Sequence, residues 1–179
     1  MKESVADSFF YSLVRLVDSI YQDEDLEDIL YFILSLAVEL TGGKGSAIRV
    51  LEHGSFDLKA VSSYGLSKEF VESGPIDFSK SVTEIMEGDI IICNDFENDT
   101  RVQNLDAARK EGVSSVIGLP FTVNEYTYSI MRVYYPQKKV PTHEEIELLN
   151  SLGKISCLVI ERAVLRGMNN EASNKRDIS

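Results

Sequence analysis

At 179 residues the chain is about one domain long, enough to remove roughly 70% of its unfolded surface from water and to fold around one core without staples. With 44% hydrophobic and 26% charged residues it has the composition of an ordinary globular protein, outside the disordered and membrane classes. Its formal net charge of -11 repels phosphate backbones and anionic headgroups, which excludes nucleic acid and a lipid surface as expected partners.

Met1-Lys2-Glu3-Ser4 places an acid where a secretory signal is basic, and Arg15 and Asp18 interrupt the apolar run that follows. No stretch approaches the ~20 apolar residues that a membrane span needs, so a cytoplasmic location is expected. Both cysteines, Cys93 and Cys157, lie inside apolar stretches and read as buried, reduced thiols. Neither histidine, His53 or His143, stands near a cysteine, so no metal-ligand spacing exists.

Phe9, Phe10, Leu13, Leu16, Val17 and Ile20 recur at three- and four-residue steps and predict a helix over about residues 4–21. Asp23-Glu24-Asp25 can cap the next helix, whose stripe runs through Leu26, Ile29, Leu30, Ile33, Leu36, Ala37 and Leu40 and ends at Thr41-Gly42-Gly43. The period then changes. Ser46–Glu52 and Asp57–Tyr64 read as strands joined by a turn at His53-Gly54-Ser55. A helical turn over Ser67–Ser73 follows, then a short helix opened by the capping box Ser81-Val82-Thr83-Glu84 and stopped by Gly88, and then a strand over Asp89–Cys93.

The polar crossover from Asn94 to Gly112 carries a helix from about Asn104 to Glu111 and is the expected rim of any pocket. Ser115–Val123 and Thr127–Tyr135 read as adjacent central strands. Thr142-His143-Glu144-Glu145 is a second capping box, opening a long helix whose stripe runs from Ile146 to Ala163. From Gly167 onward the composition is polar enough to predict a disordered tail over 167–179. The order of elements predicts an α+β fold, a mostly antiparallel sheet with helices packed on it.

Three stretches in this order resemble the GAF family, over residues 23–166. They are Ile92-Cys93-Asn94-Asp95 with Asp99-Thr100-Arg101, then Glu111 to Pro120, then Ser129-Ile130-Met131-Arg132-Val133-Tyr134 running into Thr142–Arg162. The resemblance implies a profilin-like, six-stranded antiparallel sheet with helices on one face and a ligand-sized cavity on the other. It implies a sensory or regulatory domain that binds a small molecule and signals through protein contacts in trans, since 179 residues leave no room for a kinase, cyclase or phosphodiesterase besides. Family members often pair their terminal helices with those of a second copy, so residues 1–22 are expected to form a dimerisation helix and the chain a homodimer.

The ligand stays unidentified. Cyclic-nucleotide members carry Asn-Lys after the last strand where this chain has Tyr135-Pro136, and bilin members attach the chromophore through a cysteine commonly followed by histidine, where Cys93 precedes Asn94 and Cys157 precedes Leu158. Haem needs an axial histidine in the cavity, yet His53 falls in a hairpin tip and His143 in a helix's first turn. The redox alternative in this family, reduction of free methionine sulfoxide, needs two cooperating cysteines, and no basic residue adjoins Cys93 or Cys157 to lower a thiol pKa. No enzyme is expected.

Asp95, Asp99 and Arg101 read either as groups orienting a polar ligand or as a surface ion pair with a turn. Tyr64, Phe78, Phe96 and Phe121 read as cavity lining or as core, Ser115 as strand entry at the candidate pocket, and Arg132 as snorkelling to solvent or entering a polar cavity.

Overall fold

Apolar residues at helical spacing wind α1 (Val5–Gln22) and α2 (Leu26–Thr41), as the pattern predicts. Asp25 stands at the start of α2 without a side-chain capping bond; Glu27 and Asp28 in the first turn instead place negative charge beside its free amides. Gly42 ends the helix at φ 68°, a left-handed conformation in which a Cβ would clash, and its N–H returns to the Val38 carbonyl. The structure, a computed structural model, describes residues 5–22, 24–52, 58–73, 88–102, 104–124 and 127–176.

Five strands follow among these residues: β1 (Gly45–Glu52), β2 (Leu58–Tyr64), β3 (Ile91–Cys93), β4 (Ser115–Asn124) and β5 (Thr127–Tyr135), antiparallel throughout in the order β2-β1-β5-β4-β3. The resemblance implied six, so the sheet is one strand narrower among the described residues. The short helix expected from Ser81 and both hairpin tips, His53-Gly54-Ser55 and Glu125-Tyr126, lie outside the described residues.

Three further helices lie among the described residues: α3 (Lys68–Ser73), α4 (Leu105–Glu111) and α5 (His143–Arg176). Asn104 caps α4, its Oδ1 accepting from the Ala107 N–H at 3.1 Å. The capping box of α5 is reciprocal, Thr142 Oγ1 accepting from Glu145 N–H at 3.2 Å and Glu145 Oε2 from Thr142 N–H at 2.9 Å. The helix is described as far as Arg176, past Gly167, where the sequence leads one to expect a disordered tail; a polar sequence without proline carries helix hydrogen bonds forward from an already formed helix at little nucleation cost.

Strand register sorts the core. Leu119, Met131 and Ile48 stand in one row across β4, β5 and β1, and with Ile117 and Val133 they meet Leu30 and Ile33 of α2 and Leu149 of α5 in the main cluster, all of them fully buried. Leu16 of α1 joins that cluster, so the first helix rests on its own domain.

Candidate ligand-binding face

The opposite face of the sheet has a different roof. Phe70 of α3 meets Tyr134 of β5 edge-on, with ring centroids 5.1 Å apart, and Cys93, Phe96, Ala108, Val113 and Val116 close a second cluster around them. Two short helices cover it, and polar links hold them together. Lys110 of α4 pairs with Glu69 of α3 at 2.6 Å. Glu111 accepts from Ser67 N–H at 3.0 Å and from its hydroxyl at 2.5 Å, and receives Lys44 Nζ at 3.5 Å. Burial pushes the Glu111 carboxyl up, but the Ser67 hydrogen bonds and the lysine charge outweigh it and hold it below the usual carboxylate range.

Beneath this roof the sheet carries two buried arginines. Arg132 is 2% exposed and Arg49 is 7% exposed, and Arg49 Nη2 donates to the Val71 carbonyl of α3. Arg132 is therefore held in the interior and does not snorkel to solvent. Arg49 was overlooked; its signal was a charge inside an apolar strand, on the face opposite Ile48 by simple alternation.

The expected pocket residues do not converge. Tyr64 meets Tyr31 of α2 edge-on, with ring centroids 5.2 Å apart, and Phe121 lies against Gly153 of α5, both on the main-core side of the sheet. Ser115, fully buried, shares that side by alternation along β4, and its hydroxyl donates to the Gln137 carbonyl at 2.8 Å. Among the described ones, only Phe96 is part of the second cluster. Asp95 ties the crossover to the β5–α5 connection by accepting from Lys138 at 2.6 Å and Asn98 at 2.6 Å. Phe78 lies outside the described residues. A one-residue step reverses the face a strand residue uses, and aromatic type alone carries no face information.

Arg101 is committed to the chain itself. Its Nε and Nη2 grip Asp99 at 2.9 and 2.6 Å, and Nη2 also donates to the Ile92 carbonyl at 2.9 Å, tying the crossover to β3. Hydrogen bonds from Arg101 hold the Asp99 carboxyl well below the usual carboxylate range against the opposing push of burial. A depressed folded pKa contributes stability that is present above the unfolded value near ~3.9 and lost as pH falls through the folded one. Arg101→Ala is expected to cost about 1 kcal/mol at neutral pH, discounted because the arginine is 36% exposed and water screens the pair. The gap in melting temperature between variant and parent should be full above about pH 4 and narrow steadily as pH falls below it; a gap that does not narrow rules the ion pair out as the cause.

The Cys93 thiol is pushed up to about 12, by burial first and then by hydrogen bonding to Asp99 and its charge. Burial likewise pushes Cys157 up to about 11. Both buried thiols therefore stay protonated at pH 8, so an aromatic disulfide reagent should label neither cysteine faster than the protein unfolds. Labelling within minutes in the native state contradicts this. Among the described residues no three His, Cys, Asp or Glu side chains are grouped to hold a metal ion, and no helix is long and apolar enough to cross a membrane.

An antiparallel sheet backed by two long helices, with a crossover and two short helices over its other face, defines an α+β domain of the GAF type. The family model for the GAF domain matches residues 23–160, and the chain belongs to that family. Its fold is shared by the GAF domain of a phosphoenolpyruvate-protein phosphotransferase from Coxiella burnetii, at 14% identity and TM-score 0.73, covering 92% of this chain and 99% of that one. The corresponding domain from Acinetobacter follows at 16% identity and TM-score 0.68, covering 88% and 96%. A phycocyanobilin-bound GAF domain from a cyanobacterial phytochrome matches at 13% identity and TM-score 0.67, covering 87% and 95%. A search of curated protein sequences finds no significant match.

Proposed function

We propose that this GAF domain is a sensory module, without catalytic activity, that holds a small molecule on the sheet face beneath α3 and α4 and reports it by contact with a second copy and a partner protein. The observation that carries this reading is the unequal dress of the two faces. Long helices and a buried apolar cluster close one, whereas short helices clasped by ion pairs roof the other. Ion pairs at a solvated surface are each worth only about 0–1 kcal/mol, so such a roof opens more readily than a helix bedded in leucine and isoleucine. GAF domains of known structure include ones that hold a bilin, which supports a ligand as the input; the Cys93 thiol, protonated and buried, argues against a bilin attached there.

Native mass spectrometry of the full chain tests the proposal. A retained small molecule of constant mass supports it. A dimer carrying none supports the second reading, a ligand-free dimeric interaction domain, which the exposed apolar stripe of α1 favours.

A further inference from the structure

We infer that α3 and α4 move as one unit, coupled to the start of α5 through a polar corner at Glu111, Lys44 and Lys139; this rests on the sensory reading above and names how that site is read out. The corner begins at Glu111, the last residue of α4, whose charged side chain is only 8% exposed. Its carboxylate takes both the N–H and the hydroxyl of Ser67 and meets the Lys44 ammonium ahead of β1. Ser67 Oγ in turn accepts from the Phe70 N–H at 3.2 Å, so Glu111 also steadies the cap of α3. Shielded, charge-assisted bonds of this kind are stronger than the exposed Lys110–Glu69 pair, so the two short helices are joined most firmly here.

Lys44 carries the link onward to α2. Its N–H donates to the Tyr134 carbonyl of β5 at 2.8 Å, and the neighbouring Gly43 N–H donates to the Val38 carbonyl of α2 at 3.0 Å. Gly65, at φ 68°, lets the turn between β2 and α3 press on the same residue: a Cβ there would lie 2.5 Å from the Lys44 carbonyl oxygen. Three residues before Lys44, the Thr41 carbonyl at the end of α2 accepts from Lys139 Nζ at 2.7 Å, a cation where the helix dipole favours one. Lys139 also pairs with Glu145 at 2.5 Å, and Glu145 is the carboxylate of the α5 capping box.

The connection from β5 to α5 is braced along its length. Ser114 and Ser115 hydroxyls donate to the Pro136 and Gln137 carbonyls at 3.0 and 2.8 Å, and Lys138 pairs with Asp95 at 2.6 Å. A connection tied at so many points follows what holds it. The element with two positions is the roof, seated on Tyr134 through Phe70 or lifted from it, and a ligand beneath shifts the balance. Glu111 transmits that shift to Lys44, and Lys139 passes it to the first turn of α5. Coupling of this kind is reciprocal, so a change at Lys139 must be felt by α3 and α4.

Native hydrogen exchange of the full chain reads each element separately. Glu111→Gln keeps the shape and removes the charge. It should speed exchange of α3 and α4 by roughly tenfold, and that of the Glu145 and Ile146 amides, which bond to Thr142, by about threefold. Lys139→Gln, at the far end, should speed α3 and α4 by about threefold in return. Every rate is compared with the amides of Leu30 and Ile33 inside α2, which report global opening. Arg109→Gln, at the exposed pair with Glu97, should leave Glu145 and Ile146 at parent rates; an equal rise there overturns the part given to Glu111. Should Glu111→Gln not fold, Ser67→Ala removes one hydroxyl and is read in the same way. Changes confined to α3 and α4 in the first variant, or absent from them in Lys139→Gln, overturn the coupling. Native mass spectrometry keeps the two levels apart. An empty chain with linked exchange overturns the ligand and leaves the coupling standing, whereas a retained molecule with unlinked exchange does the reverse.

Discussion

Gly153→Val is expected to lower stability by about 3 kcal/mol, the upper end of overpacking, and the melting temperature by roughly 6–12 °C for a domain of this size. Gly153 lies in the interior of α5, where glycine costs about 1 kcal/mol relative to alanine. The reason for accepting that cost is the Phe121 ring of β4: a Cβ on Gly153 would stand 2.0 Å from its Cζ and 2.2 Å from Cε2, inside any permitted contact. The helix can approach the sheet this closely only because no side chain intervenes.

The effect is bounded because Phe121 has somewhere to go. A groove of about 430 Å³ between Phe121, Leu158 and Glu161 can receive the displaced ring, with loss of its packing. Gly153→Ala should therefore be milder, the clash being partly offset by the better helix propensity. Combining Gly153→Ala with Phe121→Ala should cost less than the sum of the two single changes, as contacting sites couple by about 0.5–3 kcal/mol. Denaturant melts of the four proteins measure the coupling; strict additivity removes the proposed contact.

Val17→Glu is expected to convert a dimer into a folded monomer. The stripe read from the sequence divides in the structure: Leu16 turns inward to the main core, whereas Phe10, Leu13 and Val17 face out and are joined there by Val14 and Tyr21, Val17 being 58% exposed and Tyr21 81%. Arg162 of α5 donates to the Ile20 carbonyl at 2.6 Å and fixes the end of α1 against the closing helix. Leu158 and Leu165, seven residues apart and so on one helical face, are 66% and 54% exposed on α5. Burying a large apolar side chain fully is worth roughly 1.5–3 kcal/mol. A second copy that brings the same surfaces buries all of these stripes at once, in a four-helix arrangement.

A carboxylate at position 17 leaves the inward contacts of Leu16 untouched, so its cost to the single chain should stay within about 0.5 kcal/mol. Inside the interface it would bury an unpaired charge, which costs far more. Sedimentation equilibrium of parent and variant reads the difference directly. A parent that sediments as a monomer at tens of micromolar, or a variant that stays dimeric with undiminished affinity, excludes this interface.

Helix and strand positions were legible in the sequence because they depend on local periodicity and capping. Thr142 and Glu145 announce α5, Gly42 ends α2, and the change from a period of 3.6 to one of 2 after Gly45 marks the sheet. The family was legible for the same reason, since three short stretches in fixed order carried it. Which face of the sheet each residue serves was decided only by tertiary structure. Tyr64 and Phe121, expected in a pocket, serve the helix side, and Arg49, unnoticed, lies buried beneath α3. Strand alternation says which residues share a face but not which face a helix will cover, because that choice belongs to α2 and α5, distant in sequence. The outward turn of Val17 and the inward turn of Leu16 have the same origin: one apolar stripe is wider than the surface its own domain offers it, and only packing settles which part remains on the outside.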